Sequence, residues 1–172
     1  MARLSTIQLA TRDAVLVYQA SAAVAAPRGS PASGSLAALL ASTTHAFVGM
    51  GIAQDFKLVA GSAARATGGG ASASAAAPPP QRLVELKKMG AERGVVVPGG
   101  LLGLAEALLG LPKWKSKRLQ MSNWAAAPLS AAQIRYAAMD AHAGLACYDA
   151  LLARPPPAPP LRHRAAPTPT GG

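Results

Sequence analysis

The chain has little of what a secreted or membrane-embedded protein relies on. A single cysteine among 172 residues rules out an internal disulfide framework and suits a reducing compartment. That cysteine, Cys147, sits among small and apolar residues, where a packed thiol is expected rather than a reactive one. No run of about eighteen strongly apolar residues occurs, which argues against a membrane span. A signal-peptide pattern is also missing, because Ile7 to Ala10 read as a strand of the domain itself, and any transit peptide is expected upstream of Met1. Aromatic residues make up only 4%, so the 51% hydrophobic content is inflated by alanine and implies one domain with a modest core. Acidic residues are scarce as well. Seven Asp and Glu face 17 Lys and Arg, a net charge of +10 that favours polyanionic partners by long-range attraction. Basic tails in an Ala/Pro/Gly-rich sequence would produce the same balance.

Two short β-favouring runs, Ile7 to Ala10 and Val15 to Tyr18, flank Thr11-Arg12-Asp13 and read as a hairpin with Asp13 in the turn. Residues 21–35 are Ala, Pro, Gly and Ser, a low-complexity insertion, and Leu36 to Ser42 is a short helix candidate. His45 to Ile52 reads as an apolar strand ending at Asp55, which would place that carboxylate at the functional edge of an open α/β sheet. Residues 61–80 are almost wholly Ala, Gly, Ser, Thr and Pro. Such a segment buries too little surface to offset its chain entropy and is expected to be a disordered insertion. Order resumes at Leu83 to Lys88, and Leu101 to Gly110 is an amphipathic helix stopped by Gly110 and Pro112. Beyond Arg154 lies a Pro-rich basic tail with Arg162, His163 and Arg164. The domain is therefore expected over residues 1–153 and the tail over 154–172.

The clearest helix begins after Pro128 with Ser130 as N-cap and runs through Ile134, Leu145, Tyr148, Leu151 and Leu152 towards Arg154. Tyr136 and Asp140 are four residues apart on it, so a phenol and a carboxylate share one helical face. Either residue alone would be an ordinary surface or packing group. Asn123-Trp124 precedes this helix, with Trp124 expected as a core anchor beside it.

Taken with Gln8, Gly49, Gly51, Asp55 and Asn123-Trp124, that helix resembles the 3′–5′ exonuclease domain of the Werner-syndrome helicase and ribonuclease D type, particularly its plant branch. The corresponding blocks run in order: Ile7 to Thr11, Phe47 to Asp55, Leu101 to Leu111, and Ser122 through Gly144. The resemblance implies an α/β, ribonuclease H-like mixed sheet flanked by helices, and phosphodiester hydrolysis at nucleic-acid 3′ ends with two Mg²⁺ or Mn²⁺ ions. It assigns Asp140 to direct metal ligation, Tyr136 to orienting the nucleophilic water, and Asp55 to a position at or just outside the metal shell. The basic run Lys113, Trp114, Lys115, Lys117 and Arg118 would border the substrate cleft, touching phosphates and stacking on a base. A solvated connector with Trp114 packed inward is the competing reading of that run.

The same resemblance exposes a gap. The family's first motif, an Asp-x-Glu pair on an opening central strand, has no counterpart, so two of four metal-site acids are absent and strand edges would be exposed. Asp55 and Asp140 then leave much of the metal charge uncompensated. Glu85, Glu92 and Glu106 fall in other segments and are not expected to substitute. The chain reads as a truncated or mis-started exonuclease, or a decayed copy, the first requiring fewer assumptions. An inactive nucleic-acid-binding module and a scaffold acting through the Pro-rich tail are the alternatives. His142 is expected as a packing substitution pointing away from Asp140, and His45 lacks partners for zinc. Gly49-x-Gly51 lacks the Gly-Lys-Ser/Thr of a phosphate loop. An intracellular location, the nucleus first and the cytoplasm or an organelle after it, accords with the resemblance.

Overall fold

A computed structural model describes residues 4–20, 36, 38–66 and 82–157, with 60–66 described by backbone alone. Strands β1 (Thr6–Ala10) and β2 (Val15–Gln19) form the expected hairpin, with Ile7 opposite Tyr18 and Leu9 opposite Leu16. Thr11 closes its turn: its backbone N–H donates to Ala14 O at 2.8 Å, and its hydroxyl oxygen accepts from Ala14 N at 3.1 Å. Asp13 is an exposed turn residue, as the sequence indicates. Strand β3 (Phe47–Gly49) pairs in parallel with β4 (Leu83–Glu85), Phe47 beside Leu83 and Gly49 beside Glu85.

Parallel and antiparallel pairing thus both occur, but in two separate two-stranded sheets. Between β1 and β3 lies a groove of about 340 Å³, walled on the far sides by Phe56, Val59, Ala141 and Leu145. The helices flanking the sheets are α1 (Ile52–Ala66), α2 (Leu86–Glu92), α3 (Gly100–Leu109), α4 (Lys117–Gln120) and α5 (Ala131–Ala153). Residues 36 and 38–40 are helical too, as expected for Leu36 to Ser42.

Two sequence readings are corrected here. The third strand stops at Gly49 rather than reaching Asp55, and residues 61–66 are the end of α1 rather than the start of an insertion. At Gly51 the backbone turns through φ +76°, a left-handed conformation suited to glycine. The carboxylate of Glu85 accepts from the N–H groups of Gly51 and Ile52, so a helix rather than a strand begins at Ile52. The alanines that make 61–66 look like low complexity are also the strongest helix formers. The remaining insertion residues 67–80, the segment 21–35 and the tail beyond 157 lie outside the described residues.

Helix α5 is the spine of the fold, touching both strands of the hairpin, β3, and helices α2, α3 and α4. Its Ala143, Cys147 and Leu151 meet Leu86 and Met89 of α2 and Leu104 and Ala105 of α3 in the main core. The small side chains on α5 let the neighbouring backbones approach closely, as dense interior packing requires. A second, smaller cluster joins Leu40, Phe47 and Phe56, the two rings meeting edge to face with centroids 5.0 Å apart. Among the described residues no helix is long and apolar enough to cross a membrane.

Helix α3 depends on a missing side chain. A Cβ on Gly103 would collide with the carbonyl oxygen of Pro98, a backbone atom that cannot rotate aside. Gly103→Ala should therefore lower stability by about 1–3 kcal/mol through forced backbone movement, read as a lower urea midpoint.

Cys147 is fully buried, and burial pushes its thiol from an ordinary 9.0 up to about 11. The unfolded chain releases that proton at lower pH than the folded one, so stability falls as pH rises from 9.0 to about 11. The slope of Tm against pH over that window should be shallower in Cys147→Ala than in the parent. At pH 8 a thiol reagent should leave the native protein unmodified and label it fully in denaturant.

Candidate functional site

The site is assembled around the first three turns of α5. Ser130 caps the helix, its hydroxyl oxygen accepting from Gln133 N at 3.3 Å, and Gln133 answers by accepting from Ser130 N at 3.0 Å. This reciprocal capping box has a second use. The buried Gln133 amide also donates from Nε2 to Ser122 Oγ and to the Asn123 carbonyl, both at 3.0 Å. The segment before the helix is thereby sewn to its first turn. Trp124, next in sequence, donates from its indole N–H to Gln120 O at 3.2 Å and lays its ring against Tyr136, centroids 5.7 Å apart. It is half-buried and belongs to neither core cluster. Trp124 therefore anchors the site rather than the core.

Tyr136 is buried, 8% exposed. Burial first, and the negative charge of Asp140 second, hold its phenol above its ordinary value of 10.0, so at neutral pH it is a protonated O–H donor. Asp140, half-buried one turn on, is not an open carboxylate. Its Oδ1 accepts from the Trp114 indole N–H at 2.9 Å, and Lys115 Nζ lies 3.2 Å from the same oxygen.

The basic run is consequently split. Trp114 and Lys115 turn inwards, Trp114 packing against the main core, while Lys113, Lys117 and Arg118 are exposed. Trp114 is thus packed inward and the three outer cations are solvated.

Asp55 occupies the first turn of α1 and lines the groove between the half-sheets. Burial of its carboxyl, then the nearby charge of Glu85, raise its pKa above the ordinary carboxylate value although the residue is exposed. Glu85 is the neighbour that sequence reasoning set aside. The parallel register that puts Gly49 beside Glu85 brings it there. Its oxygens are already engaged, accepting from Gly51 N at 2.9 and 2.8 Å and from Ile52 N at 3.1 Å. The usable signal was a Glu at a strand end opposite a glycine turn, a pattern that satisfies a helix's first N–H groups.

His142 is exposed rather than packed, which corrects its reading as a packing substitution. His45 is exposed and its Nδ1 lies 2.7 Å from Ser42 Oγ. Among the described residues no group of three or more His, Cys, Asp or Glu side chains could hold a metal ion. A hard divalent cation takes six or more oxygen ligands, so the residues present do not by themselves form such a site.

A small α/β domain, with a protonated phenol and a carboxylate on one helical face and cations beside them, defines a class suited to phosphate-bearing ligands. The chain belongs to the 3′–5′ exonuclease family: that family's model matches residues 2–154, consistent with the Werner-helicase and ribonuclease D type. No curated protein matches it. Exonucleases of this type act on nucleic acid and generally use divalent metal ions. The chain contains no Asp-x-Glu pair.

Gln133→Leu preserves the shape of the side chain and removes its bonds to Ser122, Asn123 and Ser130. Loss of these buried bonds should cost about 1–3 kcal/mol. Trp124 emission should move to longer wavelength as the ring loosens from Tyr136, which a fluorescence spectrum of a Trp114→Phe background would resolve.

Proposed function

We infer that the chain is a 3′–5′ exonuclease domain, of the plant-like branch, that recognises nucleic-acid 3′ ends and whose hydrolytic activity is impaired by the missing first acidic motif. The family match over residues 2–154 carries this reading, and Tyr136 and Asp140 on one face of α5 support it. The family's chemistry would need two Mg²⁺ or Mn²⁺ ions to supply an activated water and charge stabilisation at the scissile phosphate, and the described residues form no complete site for them. In this proposal Asp140 and Asp55 would be the carboxylates directed to those ions, and Tyr136, held protonated, would donate a hydrogen bond that orients the attacking water. Lys113, Lys117 and Arg118, with Lys115 and Trp114, meet the phosphates and a terminal base. Residues 1–153 form the exonuclease-like domain and 154–172 a Pro-rich basic tail. The nucleus is the first compartment in which to look for the protein.

A catalytically inactive nucleic-acid-binding module is the second reading. It is favoured by the engagement of Asp140 with Trp114 and Lys115 and by the absence of a metal-holding group among the described residues.

One assay separates the two. A 5′-labelled single strand and a recessed duplex are incubated with Mg²⁺ or Mn²⁺ and the parent, Asp140→Ala or Tyr136→Phe proteins. Slow stepwise shortening from the 3′ end is expected, abolished by Asp140→Ala and reduced about a hundredfold by Tyr136→Phe, in the range of a lost water-orienting group. Binding without shortening selects the second reading.

Exchanging Lys113, Lys117 and Arg118 together for Gln should weaken single-strand binding and lower the slope of log affinity against log salt by about two, the single-strand value for three phosphate contacts.

A further inference from the structure

We propose that Asp140 is a clamp for the basic run: by holding Trp114 and Lys115 against α5 it fixes how Lys113, Lys117 and Arg118 are presented to solvent. The task needs no cation. The ligand of those outer cations is the nucleic-acid strand of the proposed function, on which this inference rests for that part alone.

The chain between α3 and α4 needs such a clamp. Residues 111–116 have no regular secondary structure, so the segment lacks the repeated backbone bonds that make a helix or strand resist local opening. Leu111 and Trp114 pack against the main core, but apolar contact is non-directional and does not set how a ring is turned. A hydrogen bond does. The Trp114 indole N–H donates to Asp140 Oδ1 at 2.9 Å, a bond strengthened by the charge of its acceptor. Lys115 Nζ lies 3.2 Å from the same oxygen, so one carboxylate oxygen receives two successive residues of the segment. The side chains of Lys115 and Asp140 are 25% and 28% exposed, against 72% and 38% for Arg12–Asp149 and 79% and 57% for Lys88–Glu92. Water and salt therefore screen this pair less than the other two.

On either side of the clamped residues the chain faces outward. Lys113 precedes them, Lys117 and Arg118 follow on α4, and all three are exposed. A segment fixed before its ligand arrives spares binding the cost of ordering it. Asp140 is a positioning residue in this sense, acting on the strand through the basic run. The consequence is opposite in sign to simple electrostatics. Removing a carboxylate from a basic surface strengthens its attraction for a polyanion, whereas removing the clamp releases the cations and weakens binding.

The test compares the full chain with its Asp140→Ala, Asp140→Asn and Trp114→Phe variants in EDTA, which keeps metal ions out of every readout. Trypsin cleavage after Lys113 and Lys115 is followed by mass spectrometry, and binding by the anisotropy of a 5′-labelled single strand. Asn retains an oxygen that accepts the indole N–H, and Ala does not. Cleavage should be about three- to tenfold faster in Asp140→Ala and in Trp114→Phe, the population change of one lost hydrogen bond, and should stay near the parent rate in Asp140→Asn. Strand affinity should fall about three- to tenfold in Asp140→Ala by the same loss, and be kept or raised in Asp140→Asn. Equal cleavage of parent and Asp140→Ala, or an Asp140→Ala chain that binds the strand as tightly as the parent, would overturn the proposal. Unchanged cleavage at sites outside residues 113–118 excludes global unfolding as the cause. A parent that binds no strand, with the segment still opened by Asp140→Ala, overturns the nucleic-acid reading and leaves the clamp in place, so the two fail separately.

Discussion

The close seating of α5 on α2 and α3 is the constraint from which the rest of the structure follows. Ala143, Cys147 and Leu151 present a low, fully covered face to Leu86, Leu104 and Ala105. Larger residues there would push the helices apart. Because α5 also contacts both hairpin strands and β3, its position determines where each half-sheet stands. Arg12 in the hairpin turn reinforces this from outside, its guanidinium donating to both Asp149 oxygens at 3.3 and 2.7 Å. Among the described residues the two half-sheets share no strand pairing, and both rest on this helix.

The site inherits its rigidity from the same helix. One end of α5 is tied down by the Ser130–Gln133 capping box and by the bonds from Gln133 to the preceding segment. Tyr136 and Asp140 lie within the two turns that follow, where the backbone cannot fray. Trp124 covers the phenol and Trp114 reaches the carboxylate, so two tryptophans from either side of α4 frame one helical face. Aromatic residues are scarce in this chain, and both tryptophans are spent here.

Charge is arranged unevenly among the carboxylates. Asp55 and Glu85 sit together where α1 begins, Glu85 spending its oxygens on backbone N–H groups and leaving Asp55 to feel its charge. Asp140 instead has a cation beside it. The two carboxylates assigned to the same chemistry therefore stand in opposite electrostatic surroundings, one next to a like charge and one neutralised.

What the sequence determined by itself was local and periodic. The hairpin, the α5 span with Ser130 as cap, the shared face of Tyr136 and Asp140, and the helix before Gly110 all depend on spacing within a few residues. Ordered motifs likewise carried the family resemblance. Tertiary structure decided what depends on partners far along the chain. Asp55 moved from a strand end to a helix start because Glu85, thirty residues later, caps that helix. Residues 61–66 joined α1 because alanine-rich sequence is equally compatible with helix and with low complexity, and a capped helix resolves the choice. Trp114 and Lys115 turned inward while their neighbours stayed in solvent, a division that the alternation of cations and one aromatic could not specify. Spacing along a chain records which side chains share an element, whereas the pairing of a carboxylate with its cation depends on where separate elements meet in space.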